Sequence, residues 1–551
     1  MDDDDDPELQ AALKASMETA QPQPMQTDDD EEELRAAIAL SMQPAAVVLG
    51  GAPAATPAEP AAPPADLQPL PPMGVEPEPS AEALSALIFG AAPSDAVLRQ
   101  WGAQGVCVAA PQAEVPAGAV SFTAGLAQSQ GGPCAVLAAA QAFLVRRLLF
   151  DPSPAAPRAA AETAWLDATP GAATGLAAVD ALRAPPEAVR SALLSGLADV
   201  LWEAAHAEPI AAEAAAVVAL PPDDALPYVG SAAALPALLL LHRERCASWE
   251  ATRSALARGL AALGSEVGAL ALLCSALLTR GLCRVAAERD DTGIPLVDPI
   301  HGHCSQEVLN LLLVGQATSN VFDGERDLGG DIRLRGVRAR PAVGLLSQLE
   351  ALRYLEVGAL FKRPASPIWV IASESHYTLL FACDGAVQEV SALAAVEEQM
   401  LAAFSRYDTE GNGFISAEHV AALAAALPEW ATPPAEQLQR DLDPEGTSLV
   451  VWDRFRTVML PLHPHAAELA ARADAAGAAA GPLPPPATLT LLHYNGLAST
   501  GHAHKRALRV VRVTPGDARG QPMSTDGLAA CVLTRWTDAA VSWEGAAPSI
   551  L

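Results

Sequence analysis

Cys134 opens a long apolar run, with Gly131, Gly132 and Pro133 before it and Gln128 six residues upstream. A thiol nucleophile needs such a setting. The amino end of a helix favours the thiolate. Glycines permit a tight turn beside the sulfur, and a glutamine amide can donate to an oxyanion. Pro133 costs little there, because the N–H it lacks would be unpaired at a helix start. Gln130 is closer to the cysteine and reads as a loop-lining residue.

A thiol at its ordinary pKa is mostly protonated near neutrality, so an imidazole must assist. Of the eleven histidines, His376 is the candidate: it sits at the start of the strand-like run Tyr377–Ala382, which follows another, Ile368–Ala372. The chain order Gln, Cys, His is that of papain-like thiol enzymes, in which a third group orients the imidazole. Glu374, Asp384 and a backbone carbonyl are all open for that part. Cys134 is therefore read as nucleophile, His376 as general base and acid, and Gln128 as oxyanion donor. A cysteine at a helix start is more often a small buried hydrophobe; the glycine–proline context and the strand histidine argue for chemistry here.

Positioning these groups takes a helix running from Cys134 to Phe150 and a sheet carrying His376. Helical patterning dominates early, with residues 151–260 Ala-rich and mostly helical. Strand-like runs come late, among them Thr488–Tyr494 and Leu508–Val513. That order predicts an α+β fold. The expected organisation is tandem helices in 1–43 (about 5–20 and 29–43), a disordered Pro/Ala linker over 44–83, and a catalytic domain over 84–394. A helical pair follows over 395–460, a second linker over 461–487, and a β-containing return to the catalytic domain over 488–551.

The 551 residues carry a net charge of −31, which argues against nucleic acid or an anionic membrane as partner. Five aspartates follow Met1, so no signal peptide is expected, and the uncharged apolar stretch Val267–Leu278 is too short to span a bilayer. Eight scattered cysteines without a CxxC pair predict free thiols in a reducing compartment, the cytoplasm or the nucleus.

Residues 8–17 recur at an offset of 25 as residues 33–42, each copy behind an acidic run. Leu9, Ala12, Leu13 and Ser16 make one narrow stripe at i, i+3, i+4 and i+7; Leu34, Ala37, Ile38 and Ser41 repeat it. Helices this short need a partner groove. The acidic run, hydrophobe, central alanine and following serine resemble the ubiquitin-interacting motif, which implies ubiquitin's apolar patch as the target. One copy alone would read equally well as an acidic tail; two copies in phase favour ubiquitin.

Asp408 to Ser416 follows a calcium-loop pattern, with Asp408, Glu410 and Asn412 as weak candidate ligands, Gly413 at the turn and Ile415 as the pairing residue. Position 12 is His419, so the bidentate carboxylate is missing. A second loop, Asp441 to Trp452, has fewer ligands still. Residues 395–460 are read as a degenerate EF-hand-like pair kept for packing. His301, His303 and Cys304 lack a second ligand pair for zinc. No cofactor or metal is expected.

Several longer runs carry a family resemblance. Gly131–Val136 with Gln141-Ala142-Phe143 and Leu148-Leu149-Phe150 resembles the catalytic helix of the MINDY deubiquitinases. So do Asp298–Gln306, Asn310–Leu313, Ser319–Gly324, Val343–Leu346 with Glu350–Tyr354, and Pro367–Ile371, in family order. The resemblance covers about residues 84–551, is nearest the branch with an EF-hand-like insertion, and makes the tandem motifs an appended module. It implies a papain-like cysteine protease-type domain in which Cys134 and His376 cleave isopeptide bonds in polyubiquitin, with preference for chains joined through lysine forty-eight of ubiquitin. The rival reading is a non-catalytic ubiquitin receptor working through the tandem helices.

Overall fold

Pro133 and the apolar run behind it do what their types dictate. Pro133 is the last non-helical residue, its carbonyl accepts the Leu137 N–H at 3.1 Å, and the helix runs from Cys134 to Phe150. Nearly every side chain of that helix is buried, as expected of a segment apolar on all faces. The structure is a computed structural model. It describes residues 79–110, 119–129, 131–150, 182–208, 214–222, 238–239, 241–329, 333–388, most of 396–464, 488–497, 507–515, 526–536 and most of 539–550. The chain divides into two units, Met1–Pro69 and Leu70–Leu551, and every described residue lies in the second.

The helices that bear on the site are α1 (Ala81–Phe89), α2 (Asp95–Trp101), α3 (Cys134–Phe150), α4 (Pro186–His206), α5 (Gly268–Arg280), α6 (Gln306–Val314) and α7 (Gly527–Arg535). The strands are β1 (Ala119–Val120), β2 (Ala216–Leu220), β3 (His242–Cys246), β4 (Glu325–Asp327), β5 (Arg333–Arg335), β6 (Gly344–Ser347), β7 (Ile368–Ala372), β8 (Tyr377–Phe381), β9 (Phe414–Ser416), β10 (Leu449–Val451), β11 (Leu489–Tyr494), β12 (Leu508–Pro515) and β13 (Ala539–Trp543). The main sheet has the order β1-β12-β11-β8-β7-β6, with β13 also on β12. Only β6 and β7 run parallel within it. Helix α3 packs on β7 and β8 from one side, and α4 packs on α3. The other sheet face buries Trp369, Leu380, Leu491, Val511 and, from α7, Leu528 and Val532.

Part of the Ala-rich region is strand where its composition suggests helix. Residues 216–220 form a fully buried strand paired with β3, while residues 151–181 lie outside the described part. Alanine has high helix propensity, but Val217 and Val218 favour a pleated, buried surface. Helix α5 covers the other edge: Thr279 Oγ1 and Ser275 Oγ bond the N–H and carbonyl of Val217 and Ala219 at 2.8–3.2 Å. Side-chain hydroxyls thus do for that edge what a third strand would do. Among the described residues no single helix is long and apolar enough to cross a membrane.

Residues 396–462 hold a hydrophobic cluster of their own around Met400, Phe404, Leu438 and Phe455. Here β9 pairs with β10, placing Ile415 opposite Val450. An aspartate stands equally far before each: Asp408 Oδ2 accepts the Gly413 N–H at 2.8 Å, and Asp443 Oδ2 accepts the Ser448 N–H at 2.7 Å. Gly413 and Ser448 both have positive φ, 81° and 62°. The internal repeat therefore begins at Asp443, not at Asp441, because the strand register and not the glycine at 446 sets the phase. Glu410 and Asn412 lie outside the described residues.

Candidate active site

Three chain segments meet at one end of the sheet, over the start of α3. Strands β8 and β11 are antiparallel, with Tyr494 opposite Leu379, so the start of β8 and the end of β11 fall together. His376 precedes β8 and Asn495 follows β11. The segment ending at Gln128 joins them: its N–H donates to the Gly496 carbonyl at 3.0 Å, in a parallel bridge to Leu497.

Cys134 is 1% exposed. Its Sγ donates to the Gly132 carbonyl at 3.6 Å, and the backbone of Tyr377, the residue after His376, bonds to the sulfur from the sheet side. Burial pushes this thiol up to about 11, the N–H groups at the helix start opposing it without prevailing. Cys304 also donates to the Gly132 carbonyl, at 3.4 Å, and burial pushes it well above the ordinary thiol range. Two thiols therefore share one carbonyl. Gly132 is shaped for this turn: its φ is +100°, and a Cβ there would stand 2.8 Å from Gln100 Cδ. The same Gln100 lies against Gly302, whose carbonyl accepts the Trp101 indole N–H at 2.9 Å.

His376 is 5% exposed, and its Nε2 faces Asn495, 3.2 Å from Oδ1 and 3.4 Å from the main-chain oxygen. Glu374 and Asp384, the side chains the sequence offers as orienting groups, are exposed. Asn495 escaped the sequence reading: an Asn-Gly pair after a strand reads first as a turn. The usable signal is order, since papain-like sites place an asparagine after the histidine. Beside it, His493 is buried, bonds Thr378 Oγ1 at 2.9 Å, and is driven down to about 3 by burial and then by the charge of His376.

Gln128 is 3% exposed, and it lines a small cavity with Thr378, Tyr494 and Asn495. Two buried glutamines hold its segment. Gln104 accepts the Ser129 N–H at 2.8 Å and donates to the Ala127 carbonyl at 3.0 Å, so one amide grips the backbone on both sides of Gln128. Gln141, from α3, accepts the Leu126 N–H at 2.5 Å and donates to the Ala124 carbonyl at 3.0 Å. The Tyr494 hydroxyl adds a bond to the Leu126 carbonyl at 2.8 Å. Neither clamp was anticipated, because each joins positions that no periodicity links.

The structure thus brings Cys134, His376 and Gln128 to one place and adds Asn495. The tandem residues Leu9, Ala12, Leu13, Ser16, Leu34, Ala37, Ile38 and Ser41 lie outside the described residues, as does Gln130. His301 sits on the Asp298 carboxylate at 3.2 Å, with the Cys304 thiol turned to Gly132. No group of three or more His, Cys, Asp or Glu side chains fit for a metal occurs among the described residues.

A helix-borne thiol beside the strand start that carries a histidine is an arrangement that cysteine hydrolases use, and comparison with known proteins narrows the class. Residues 86–397 match the conserved domain of the deubiquitinating enzymes MINDY-3/4, and residues 4–20 and 29–45 each match the ubiquitin interaction motif. The human ubiquitin carboxyl-terminal hydrolase MINDY-3 is 31% identical over 400 residues, covering 69% of this chain and 80% of its own. The Drosophila melanogaster MINDY-3 homolog is 30% identical over 292 residues, 52% of this chain and 48% of its own. The human probable ubiquitin carboxyl-terminal hydrolase MINDY-4 is 35% identical over 271 residues, 47% of this chain and 32% of its own. No solved structure gives a significant match. The chain belongs to the MINDY-3/4 deubiquitinase family.

Proposed function

We propose that this chain is a cysteine-dependent deubiquitinase of papain-like architecture that hydrolyses isopeptide bonds in polyubiquitin. The observation that carries this reading is the juxtaposition of the Cys134 sulfur with the strand start that bears His376, whose Nε2 faces Asn495. His376 takes the thiol proton and returns it to the leaving lysine amine. The thiolate attacks the isopeptide carbonyl, and the oxyanion is met by the Gln128 amide and the Cys134 N–H. Water, activated by the same imidazole, then hydrolyses the thioester. With Nε2 turned to Asn495, Nδ1 is the nitrogen that serves the sulfur.

The stripe of each tandem motif, Leu9, Ala12, Leu13 and Ser16 or Leu34, Ala37, Ile38 and Ser41, engages ubiquitin's apolar patch, and the reading includes a preference for lysine-forty-eight chains. The repeat in 396–462 is read as an EF-hand-like pair without calcium. Counted from Asp408 and Asp443, position 12 falls on His419 and on Arg454, whose guanidinium donates to the Asp441 carbonyl at 2.6 and 2.9 Å. A cation where a carboxylate must ligate does not fit the ion, so no step is routed through calcium.

A ubiquitin bearing a C-terminal propargyl group tests the proposal. The wild-type chain should label to near completion, and Cys134→Ala should not label at all. A folded wild type that stays unlabelled and leaves polyubiquitin intact would return the chain to the receptor reading.

A further inference from the structure

We infer that Asn495 is a positioning residue for His376, and that the Ser549 carbonyl, held by the chain segment around Ile550, decides which way the Asn495 amide faces. The inference deepens the cysteine-hydrolase reading and rests on it.

An asparagine presents a donor and an acceptor that look alike in shape, so its orientation must be set by its partners. Asn495 Nδ2 donates to the Ser549 carbonyl at 2.6 Å, and a carbonyl can only accept. Oδ1 is thereby turned toward His376 Nε2 at 3.2 Å, and it also accepts the Leu497 N–H at 3.2 Å. The main-chain oxygen of Asn495 is 3.4 Å from the same nitrogen. Two oxygens around Nε2 require the proton there. That fixes the tautomer and makes Nδ1 the acceptor a thiol needs. Once the imidazolium forms, the same oxygens stabilise it.

The segment that supplies the Ser549 carbonyl is anchored. Ile550 is 6% exposed and packs in the cluster with Leu346, Trp369 and Leu528. Its Cδ1 lies 2.6 Å from where a Cβ on Gly527 would stand, so the tip of Ile550 packs directly against the first residue of α7. A residue 54 positions beyond Asn495 thus reaches the imidazole through one amide.

The test uses the full chain and three variants, Asn495→Ala, Asn495→Asp and Ile550→Ala. It measures polyubiquitin turnover against pH, and His376 titration by NMR in the Cys134→Ala background. Asn495→Ala should lower kcat about 10–100-fold with little change in KM. It should also move the acidic limb, where His376 must shed its proton before it can accept the thiol's, to lower pH. Asn495→Asp places a negative charge at Nε2 and should move that limb to higher pH. Ile550→Ala should shift it in the direction of the alanine variant, by less. The limb reports His376 and not His493, which burial holds neutral down to about 3. Cys134 is the other titrating neighbour, and it is absent from the NMR background. Opposite shifts from alanine and aspartate are the supporting result, since loss of packing alone would not reverse sign. An active, labelled wild type whose Asn495 variants keep its pH profile and His376 titration overturns the inference alone. A wild type that neither labels nor cleaves overturns the reading beneath it.

Discussion

Gln104 shows how much of this candidate site is made by residues that grip backbone. Its amide bonds the backbone before and after Gln128, which fixes where the Gln128 side chain begins. An oxyanion donor contributes only when it lies within about 2.7–3.1 Å of the developing charge, and a shift of about 1 Å can cost ~10²-fold. Gln128→Ala should therefore lose about 10²–10³ in kcat. Gln104→Ala should lose about 10–100-fold, with KM nearly unchanged. Because both act through one donor, the double variant should be no slower than Gln128→Ala alone. Additive losses in steady-state kinetics would separate the two residues and remove Gln104 from the oxyanion site. Cys134 and His376 can be put forward from sequence alone because thiol and imidazole chemistry restrict the choice to few residue types. Gln104, Gln141 and Asn495 cannot be, since an amide's role is defined by which backbone groups it meets across the fold.

At the scale of elements, the seating of α3 is set by how closely α4 approaches it. Gly196 lies inside α4, where glycine costs about 1 kcal/mol relative to alanine. Its presence is explained by contact. A Cβ there would stand 2.8 Å from the Phe143 carbonyl carbon, 2.9 Å from its oxygen and 3.0 Å from the Leu144 nitrogen. These are backbone atoms of α3 and cannot swing aside as a side-chain tip could. Overpacking of this kind costs typically ~1–3 kcal/mol and outweighs the propensity gain. Gly196→Ala should thus destabilise the fold by about 1–2 kcal/mol, read from the urea midpoint at constant slope; a stabilised variant would mean that α4 simply moves away. Elements whose pattern and propensity agree could be read from sequence: α3 from its apolar run, and β7, β8 and β11 from aromatic and β-branched residues. Strand β2 could not, because its alanines point to helix and its edge is closed by hydroxyls from α5, 56–62 residues away. The runs at Asn310 and Asp323 are scaffolding: Asn310 Nδ2 ties the Thr318 and Asn320 carbonyls at 2.7 and 3.0 Å, while Asp323 accepts the Ala359 and Leu360 N–H groups at 2.8 and 3.1 Å.

At the scale of the whole molecule, the chemistry and the tandem motifs are separate in sequence. The match to the ubiquitin interaction motif ends at residue 45, and the groups assigned to catalysis begin at Gln128. A motif with so narrow an apolar stripe is expected to bind weakly, so the contribution argued for it is tethering: one ubiquitin of a chain held at the motifs would raise the local concentration of the next at the active site. Removing residues 1–45 should therefore raise KM for long chains by about tenfold or more, short of the ~10²–10⁴ of full avidity. kcat and labelling by the single-ubiquitin probe should stay at wild-type values, because neither needs a second bound ubiquitin. The acidic runs offer a competing explanation, since deletion also removes negative charge. Ala12→Phe with Ala37→Phe separates the two. It leaves every charge in place and blocks the close approach that the central alanines permit, so it should reproduce the rise in KM. Wild-type KM in that double variant, beside a raised KM in the deletion, would assign the effect to charge; equal KM for wild type and deletion on long chains would end the tethering argument.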